Sequence, residues 1–361
     1  MRRLPGVYII AEAGVNHNGS VDMAKQLVDE AAAAGADAIK FQTFKSEMLV
    51  SSDAPKAEYQ QKTTGSKETQ YEMLKKLELG EEGHKILYDH CLNRGIHFLS
   101  TPFDIVSLNL LTGLFSLPLI KIPSGEITNA LLLLKAAYTG KPVILSTGMS
   151  TLAEIEMALS ILAFGYTGST ARPSLLAFQD AFCLAAGQEA LNEKVMLLHC
   201  TSEYPAPYDE VNLKAMDVLR EAFRLSVGYS DHTSGIAVAI AAVARGAVVI
   251  EKHFTLDRSL KGPDHKASLE PKELQELVQS IRQVELALGL GPKLPTPTER
   301  KNRVIARKSL VAACSIRKGE IFTEENLTVK RPADGVSSLS YWDWLGKTAE
   351  RDYERDERVS P

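Results

Sequence analysis

The chain has 361 residues, of which 45% are hydrophobic and 24% charged, so it can bury a large core and is neither disordered nor fibrous in composition. Its net charge of −4, with no basic block, argues against nucleic acid as a partner. No apolar run reaches the about 18 residues of a membrane-spanning helix, and the N-terminal run is broken at Glu12 without a signal-peptide pattern, so we expect a cytoplasmic protein that makes no use of a membrane.

Eight short apolar runs alternate with amphipathic stretches along the first 288 residues. They are apolar at consecutive positions, which is typical of strands buried on both faces, and each is followed by a helical pattern. In residues 22–35, for example, Asp22 is a candidate N-cap and Gly35 a candidate C-cap. The order predicts an α/β fold, a (β/α)8 TIM barrel over residues 1–288; a doubly wound open sheet is the alternative, but no GxGxxG motif follows the first run. The predicted strands are 7–14, 38–43, 96–102, 119–124, 142–147, 195–200, 225–231 and 248–254.

Two connections are long, and the chain changes character after the barrel. Residues 44–80 follow the second strand on the carboxyl side, where βα loops build active sites, and we predict that they form a lid. Residues 166–193, on the opposite face, are predicted to be a structural elaboration. The Pro- and Gly-containing residues 289–304 are predicted as a linker, and residues 305–361 as a small, mostly β domain that needs a docking surface because of its size.

Polar residues cluster at the carboxyl ends of the predicted strands. In a barrel these ends converge on one mouth, and isolated charges in apolar strands are costly unless they are paired or liganded. The pattern therefore predicts a shared polar site, with an internal network of ion pairs as the alternative. The residues are Glu12, Asn16, Lys40, Gln42, Ser100, Thr101, Lys121, Ser124, Glu126, Ser146, His199, Tyr204, Ser230, Asp231, His232 and His253.

His232 and His253 end the last two predicted strands and are candidates for holding one cation between them. Two histidines alone are weak evidence, because either is equally explained as a hydrogen-bonded core residue. Asp264 and Glu12 are candidates to complete or orient such a site.

Lys40 and Lys121 end the second and fourth predicted strands. A barrel lysine can form a Schiff base with a carbonyl substrate or hold a phosphate or carboxylate, and the nearby serines favour anion binding. Structural salt bridges to Glu12 and Glu126 are the alternative. Cys200 is interpreted as a buried strand residue, and the absence of any CxxC spacing predicts free thiols.

The order of several motifs resembles the sialic acid synthase family over nearly the whole chain. The tail RKSLVAACSIRKGEIFTEENLTVKRP resembles the family's C-terminal antifreeze-like (SAF) domain. The motifs in the barrel are IAEAGVNHNG (10–19), KFQTF (40–44), STPFD (100–104), KIPSGEITN (121–129), ILSTGM (144–149), LLHCTSEYPAP (197–207), GYSDHT (228–233), EKHFTLD (251–257) and GPDHKASLEP (262–271).

This resemblance implies an enzyme that condenses phosphoenolpyruvate with an N-acylated mannosamine-type sugar and water, giving a nine-carbon 2-keto acid and phosphate. It implies a divalent metal, Mn ahead of Mg or Co, on His232 and His253. Glu126 is implied in proton transfer, with Glu12 and Lys121 as further catalytic residues. Phosphoenolpyruvate would be held by Lys40, Thr101, Lys121, Ser124, Ser146 and Ser230, with Ser202 beside its phosphate. The sugar would be lined by Glu12, Gln42, Tyr204 and Asp264.

The resemblance also implies a domain-swapped homodimer, in which Arg331 reaches the sugar's N-acyl group in the partner's barrel. The segment WLGKTAERDYERDERVSP is more charged and shorter than in the family, which predicts a truncated or frayed end of the small domain. For the sugar we expect N-acetylmannosamine, giving N-acetylneuraminate, with a 2,4-diacetamido-hexose, giving a legionaminate- or pseudaminate-type acid, as the alternative. More remote alternatives are a Schiff-base pyruvate lyase and a non-catalytic sugar-binding protein.

Overall fold

The computed structural model describes residues 6–57, 60–61, 64–65, 68–289 and 291–360. Parts of the predicted lid (58–59, 62–63 and 66–67), one position of the predicted linker (290), and both chain ends (1–5 and 361) lie outside the described residues. The chain divides into two compact units, Met1–Gly289 and Leu290–Pro361.

The first unit contains an eight-stranded parallel sheet that curves into a nearly closed barrel. Its strands are β1 (Tyr8–Gly14), β2 (Ala38–Thr43), β3 (His97–Pro102), β4 (Ile120–Ile122), β5 (Val143–Ser146), β6 (Val195–His199), β7 (Ser226–Asp231) and β8 (Val249–His253). Backbone hydrogen bonds join them in the order β3-β2-β1-β8-β7-β6-β5-β4. The two ends of this ladder, β3 and β4, lie side by side, and we call their junction the seam. The predicted barrel is confirmed, with every predicted strand in its place.

Alternate residues of each strand face the barrel interior. On β1, Tyr8 and Ile10 belong to a small interior cluster, whereas Ile9 and Ala11 pack in the larger cluster between strands and helices. The interior of the barrel is therefore a packed core rather than a pore. The interior cluster consists of Tyr8, Ile10, Ala38, Leu99, Leu119, Ile144, Met196, Leu198 and Val249.

The helices cover the outer face of the barrel. Helix α1 begins after Ser20, whose side chain accepts a hydrogen bond from the Met23 N–H, so the N-cap is Ser20 and the prediction of Asp22 was wrong. Gly35 ends the helix at a φ of 82°, as predicted. The helices of this unit are α1 (Val21–Ala34), α2 (Ser46–Leu49), α3 (Gln70–Lys75), α4 (Glu81–Arg94), α5 (Ile105–Leu114), α6 (Ala130–Tyr138), α7 (Leu152–Tyr166), α8 (Leu175–Cys183), α9 (Ala185–Lys194), α10 (Ala215–Phe223), α11 (Ala237–Ala244) and α12 (Pro271–Leu288).

The two long connections carry short helices. The described part of segment 44–80 holds α2 and α3, and α3 starts with a capping box formed by Thr69 and Glu72. Segment 166–193 holds α8 and α9, which pack against α7 on the outside of the barrel.

The second unit is a small β-rich fold with its own core. It contains α13 (Pro297–Ala306), an antiparallel pair of β9 (Ser309–Ala312) and β10 (Leu327–Lys330), and α14 (Tyr341–Trp344). Helix α13 occupies the second half of the predicted linker 289–304, so that half is helical. The end of the chain is not frayed: Arg358 bridges to Val311 of β9, and Val359 is buried. The core residues are Leu310, Ala312, Ile316, Phe322, Leu327, Trp344, Ala349, Tyr353 and Val359.

Two further expectations concern the whole chain. The four cysteines are free, as predicted. No helix in the described ranges combines the length and the apolar character that crossing a membrane requires. The cytoplasmic location stays a prediction.

The barrel is so closely packed at Gly228 on β7 that we expect any side chain there to destabilise the protein. A Cβ atom there would lie 2.4 Å from the Val249 carbonyl oxygen and 2.7 Å from Leu198 Cδ2, so the backbone must move. We expect Gly228→Ala to lower the free energy of unfolding by about 2 kcal/mol, measured by urea denaturation. Gly113→Ala on the exposed side of α5 is the control, because its Cβ meets no described atom within 4 Å. That change should stabilise the protein by about 0.5 to 1 kcal/mol; equal effects of both substitutions would contradict the packing argument.

Candidate active site

The inward alternation of the strands continues at their carboxyl ends with polar residues. On β1 the next inward residue after Tyr8 and Ile10 is Glu12, and on β2 the one after Ala38 is Lys40. Side chains along a strand alternate with a period of two, so the residue two positions after an inward core residue also faces inward. On each of these strands that residue lies at the mouth of the barrel. Two residues beyond Leu99, Leu119, Ile144, Leu198 and Val249 lie Thr101, Lys121, Ser146, Cys200 and Glu251.

These side chains line a single cavity of about 470 Å³ at the mouth of the barrel. Every barrel residue to which the family resemblance assigns a role contributes to its lining. Four other members of the predicted polar set do not line it: Asn16, Ser100, His199 and Asp231. Arg331 lies in the second unit, directly after β10, and is exposed. The structure thus brings the predicted barrel residues together, and their individual roles stay predictions. They are Glu12, Lys40, Gln42, Thr101, Lys121, Ser124, Glu126, Ser146, Ser202, Tyr204, Ser230, His232, His253 and Asp264.

Four buried charged side chains form the floor of the cavity, and we call them the charged floor: Glu12, Lys40, Lys121 and Glu251. Lys40 Nζ lies 2.5 Å from Glu12 Oε2 and 3.6 Å from Glu251 Oε2. Lys121 Nζ lies 3.4 Å from Glu251 Oε1. Glu251 thus connects the two lysines, and Lys40 also donates a hydrogen bond to Thr101 Oγ1 at 3.0 Å.

Burial and pairing give these groups different proton affinities. Burial alone would raise the pKa of Glu251, but the adjacent Lys121 and Lys40 outweigh it and lower the pKa to about 2. Burial raises the pKa of Glu12 more than the positive charge of Lys40 lowers it. The negative charge of Glu251 raises it further, and the pKa of Glu12 is about 7. Burial also lowers the pKa of Lys121, although Glu251 partly offsets this. Glu12 is therefore the carboxyl group of the floor that changes charge near neutral pH.

Glu251 was missed by the sequence analysis. It is two residues before His253 and two after Val249, so the period of two that places those residues inward places Glu251 inward as well. The signal was present in the strand pattern. Reasoning by strand ends alone overlooked it, because Glu251 lies within the strand rather than after it.

Three hydroxyls line the side of the cavity formed by the ends of β4, β5 and β6, and we call them the hydroxyl sector: Ser124, Ser146 and Ser202. The Gly148 N–H donates to Ser124 Oγ at 2.9 Å. A Cβ atom on Gly148 would lie 2.5 Å from Ser202 Oγ and 2.9 Å from Ser124 Oγ, so only glycine leaves this concave surface open. With the ammonium group of Lys121 close by, the sector offers several donors to one anion.

Two imidazoles occupy the mouth at the ends of β7 and β8. The rings of His232 and His253 have centroids 5.5 Å apart, and the Tyr204 ring packs on that of His232 at 4.2 Å. His232 Nδ1 donates to the Thr201 carbonyl oxygen at 2.5 Å, which fixes the tautomer with a lone pair on Nε2. Ser230, 3.3 Å from that Nε2, donates its hydroxyl proton to Glu251 at 2.8 Å and leaves the lone pair available.

This pair fits a divalent cation by its chemistry. Within the described residues, the buried Nδ1 of His253 has no hydrogen-bond partner, which is costly unless something binds there. Burial lowers the pKa of His232 to about 4 and that of His253 well below its usual value, so both imidazoles are neutral at pH 7, as ligation requires. No cluster of three or more His, Cys, Asp or Glu suited to a metal occurs in the described part of the chain, so oxygen ligands from substrate or water would complete the shell.

Two carboxyl groups with raised pKa values lie next to each other near Gly14. A Cβ atom on Gly14 would lie 3.3 Å from Glu12 Oε1, 3.4 Å from Gln42 Nε2 and 3.7 Å from Asp264 Oδ2. Burial raises the pKa of Asp264 to about 6, close to that of Glu12. This corner therefore offers both donors and acceptors to a polyhydroxylated ligand.

The remaining wall of the cavity is apolar. Segment 44–80, predicted as the lid, contributes side chains from α2 and from α3 and the residues after it, and the turns after β1 and β3 contribute one each. We call this surface the apolar wall: Val15, Leu49, Val50, Met73, Leu74, Leu77 and Phe103.

Some residues of the predicted polar set have other partners. The Glu126 carboxylate accepts a hydrogen bond from Asn129 Nδ2 at 2.7 Å, and the ion-pair partner of Lys121 is Glu251 rather than Glu126. Asp231 faces away from the cavity and pairs with the fully buried Lys252 at 2.8 Å. Glu126 nevertheless lines the cavity, so its predicted part in proton transfer stays open to test.

Comparison with known proteins assigns the class. Residues 27–293 match the model of the NeuB family, and residues 307–361 match that of the SAF domain. The chain therefore belongs to the NeuB family, as its motifs predicted.

Individual relatives are similar over almost the full length. The chain is 52% identical to the N,N'-diacetyllegionaminic acid synthase of Campylobacter jejuni over 97% of this chain and 98% of the relative. It is 47% identical to the enzyme of the same name from Legionella pneumophila, over 91% and 86%. The crystal structure of an N-acetylneuraminic acid synthetase from Leptospira borgpetersenii, in complex with citrate, has a TM-score of 0.66 and 35% identity, covering 82% of this chain and 90% of that one.

The charged floor makes a prediction about stability. Glu251→Gln leaves Lys121 buried without its carboxylate partner, and we expect a loss of about 2 to 4 kcal/mol in the free energy of unfolding, measured by urea denaturation.

Glu81→Gln is the matched control, since Glu81 pairs with Lys85 at 2.7 Å but 52% of its side chain is exposed. Solvent screens that pair, so its loss should leave the free energy of unfolding nearly unchanged. A Glu251→Gln variant as stable as the control would mean that water in the cavity already solvates Lys121.

Proposed function

We propose that this protein condenses phosphoenolpyruvate with 2,4-diacetamido-2,4,6-trideoxymannose and water, giving a legionaminate-type nine-carbon 2-keto acid and phosphate. The observation that carries the proposal is the single cavity in which an anion-binding sector, an imidazole pair and near-neutral carboxyl groups meet. Membership in the NeuB family supports the reaction class.

The relatives support this sugar over the one expected from the sequence. Both relatives with the higher identities, 52% and 47%, are named as diacetyllegionaminic acid synthases. The protein named as an N-acetylneuraminic acid synthetase has 35% identity. We therefore favour the 2,4-diacetamido sugar and keep N-acetylmannosamine as the alternative.

The hydroxyl sector and the charged floor suit phosphoenolpyruvate. Lys121, Ser124 and Ser146 hold its phosphate, while Lys40 and Thr101 take the carboxylate. In the reaction, C3 of phosphoenolpyruvate bonds to the aldehyde carbon of the open-chain sugar, water adds to C2, and phosphate leaves from C2. Donors fixed around the leaving phosphate stabilise the charge that develops there.

The carboxyl groups at the Gly14 corner and the imidazole pair act on the sugar. Burial raises the pKa of Glu12 to about 7, so its Oε1 can exchange a proton with the aldehyde oxygen as that oxygen becomes a hydroxyl. Asp264 and Gln42 orient the sugar chain. A divalent ion held by His232 and His253 would supply Lewis acidity at the aldehyde oxygen.

One feature suits the remote alternative of a Schiff-base pyruvate lyase. The lowered pKa of Lys121 increases its neutral fraction, as an amine nucleophile requires. Such an enzyme would be trapped by borohydride with pyruvate, and it would release no phosphate.

The decisive measurement is phosphate release from phosphoenolpyruvate with Mn, in parallel with the 2,4-diacetamido sugar, N-acetylmannosamine and no sugar, each with and without EDTA. We expect release that depends on the diacetamido sugar, is at least about 10-fold slower with N-acetylmannosamine, and is abolished by EDTA.

Each other result has a definite meaning. Faster release with N-acetylmannosamine would restore the N-acetylneuraminate alternative. Release that EDTA leaves unchanged would remove the metal from the proposal. No release with either sugar, together with covalent trapping of pyruvate by borohydride, would favour the lyase.

We also propose that Arg331 serves the barrel of a partner in a domain-swapped homodimer. The support is the family resemblance, together with the position of this exposed arginine in a separate compact unit. Mixing an Arg331→Ala variant with a Glu126→Ala variant tests it. If Arg331 acts in trans, each mixed dimer contains one intact site, and after random exchange about a quarter of all sites should be active. No recovery, with exchange proven by mass spectrometry, would show that Arg331 does not act in trans.

A further inference from the structure

The apolar wall is separate from the core that stabilises the barrel. Val15, Met73, Leu74 and Leu77 form a cluster of their own with Phe44, apart from the main core and from the barrel interior. All of these except Phe44 line the cavity, as do the partly buried Leu49, Val50 and Phe103. A surface of this kind within a substrate cavity implies a ligand with an apolar part.

The wall occupies a defined sector of the barrel mouth. Val15 follows β1, Leu49 and Val50 belong to the segment after β2, and Phe103 follows β3. The hydroxyl sector follows β4, β5 and β6, and the imidazole pair ends β7 and β8. The Gly14 corner, where the sugar binds in the proposed reaction, is directly followed by Val15, so the sugar lies next to the wall.

The geometry fixes which part of the sugar this is. In the proposed reaction the aldehyde carbon C1 must lie next to phosphoenolpyruvate and the imidazole pair. C6 is the opposite end of the carbon chain, so it lies farthest from the anion. A methyl group there can be buried against leucine and methionine, whereas a hydroxyl group would lose its hydrogen bonds to water on entering the same space.

We propose that the apolar wall, to which Leu74 contributes, determines specificity by binding the C6 methyl group of a 6-deoxy sugar and disfavouring a C6 hydroxyl. This inference rests on the proposed function and assigns part of its substrate specificity to named residues. Two amides, Gln60 and Gln70, interrupt the wall, with Gln70 Nε2 3.5 Å from Gln60 Oε1, and suit the polar acetamido substituents.

Leu74 is the residue to change because it borders the cavity from α3 and is 9% exposed. Leu74→Thr removes apolar surface and introduces a hydroxyl that can pair with a C6 hydroxyl. Leu74→Met keeps the surface apolar and conserves its volume, so it should keep the preference. Leu79→Thr is the matched control: Leu79 is 7% exposed but packs in the main core and does not line the cavity.

The measurement is the ratio of kcat/KM for two 2,4-diacetamidomannoses that differ only by methyl or hydroxymethyl at C5. A ratio is independent of the fraction of enzyme that is folded, so partial destabilisation of a variant does not affect it. We expect the wild type and Leu79→Thr to prefer the 6-deoxy sugar about 10- to 100-fold, and Leu74→Thr to lower that preference at least about fivefold.

The outcomes separate this inference from the function on which it rests. Turnover of both sugars with the same ratio in Leu74→Thr and wild type would overturn the role of the wall. A wild-type preference for the C6 hydroxyl would overturn it as well. No phosphate release from either diacetamido sugar would overturn the proposed function, and the inference with it.

Discussion

The period of two along eight parallel strands is the constraint on which this molecule depends. One face of each strand must fill the barrel interior, and Tyr8, Ile10 and Val249 do so with apolar side chains. Two residues further along each strand, the same face lines the mouth of the barrel. At that position β1 has Glu12 and β8 has Glu251. The register that packs the core therefore also determines which side chains reach a ligand. A shift of one residue in the register of a strand would turn both its core residues and its site residues away from the barrel interior.

Burying these charged side chains would destabilise the protein if they had no partners of opposite charge. Lys40 and Lys121 are nearly inaccessible to water, and each is held by a carboxylate of Glu12 or Glu251. Because the floor contains as many carboxyl groups as amines, its total charge follows the protonation of Glu12, whose pKa is about 7. An anion bound in the hydroxyl sector would favour the protonated form of Glu12, which would link its binding to proton uptake.

The sequence predicted the barrel, its strands and the convergence of polar residues, because buried strands and their ends leave local patterns. It did not predict what depends on contacts distant in the chain. Glu251 was overlooked inside an apolar strand. The structural alternative considered for Lys121 was a salt bridge to Glu126, which is near in sequence, whereas the observed partner is Glu251. The cap of α1 was misassigned because Ser20 and Asp22 are both good caps and backbone geometry decides between them. No side chain of helix α13 is buried and few are apolar, and so a Pro-rich segment resembled a linker.

The charged floor also links β3 and β4, the two strands on either side of the seam. Backbone hydrogen bonds hold the other neighbouring strands of the ring together, and the described ladder stops at these two. Lys121 on β4 contacts Glu251 on β8, Glu251 contacts Lys40 on β2, and Lys40 reaches Thr101 on β3. This chain of side chains spans the inside of the ring and ties the two unjoined strands to each other. An anion bound to Lys121 would compete with Glu251 for the same ammonium group, so a ligand in this cavity would act directly on the contacts that link β3 and β4.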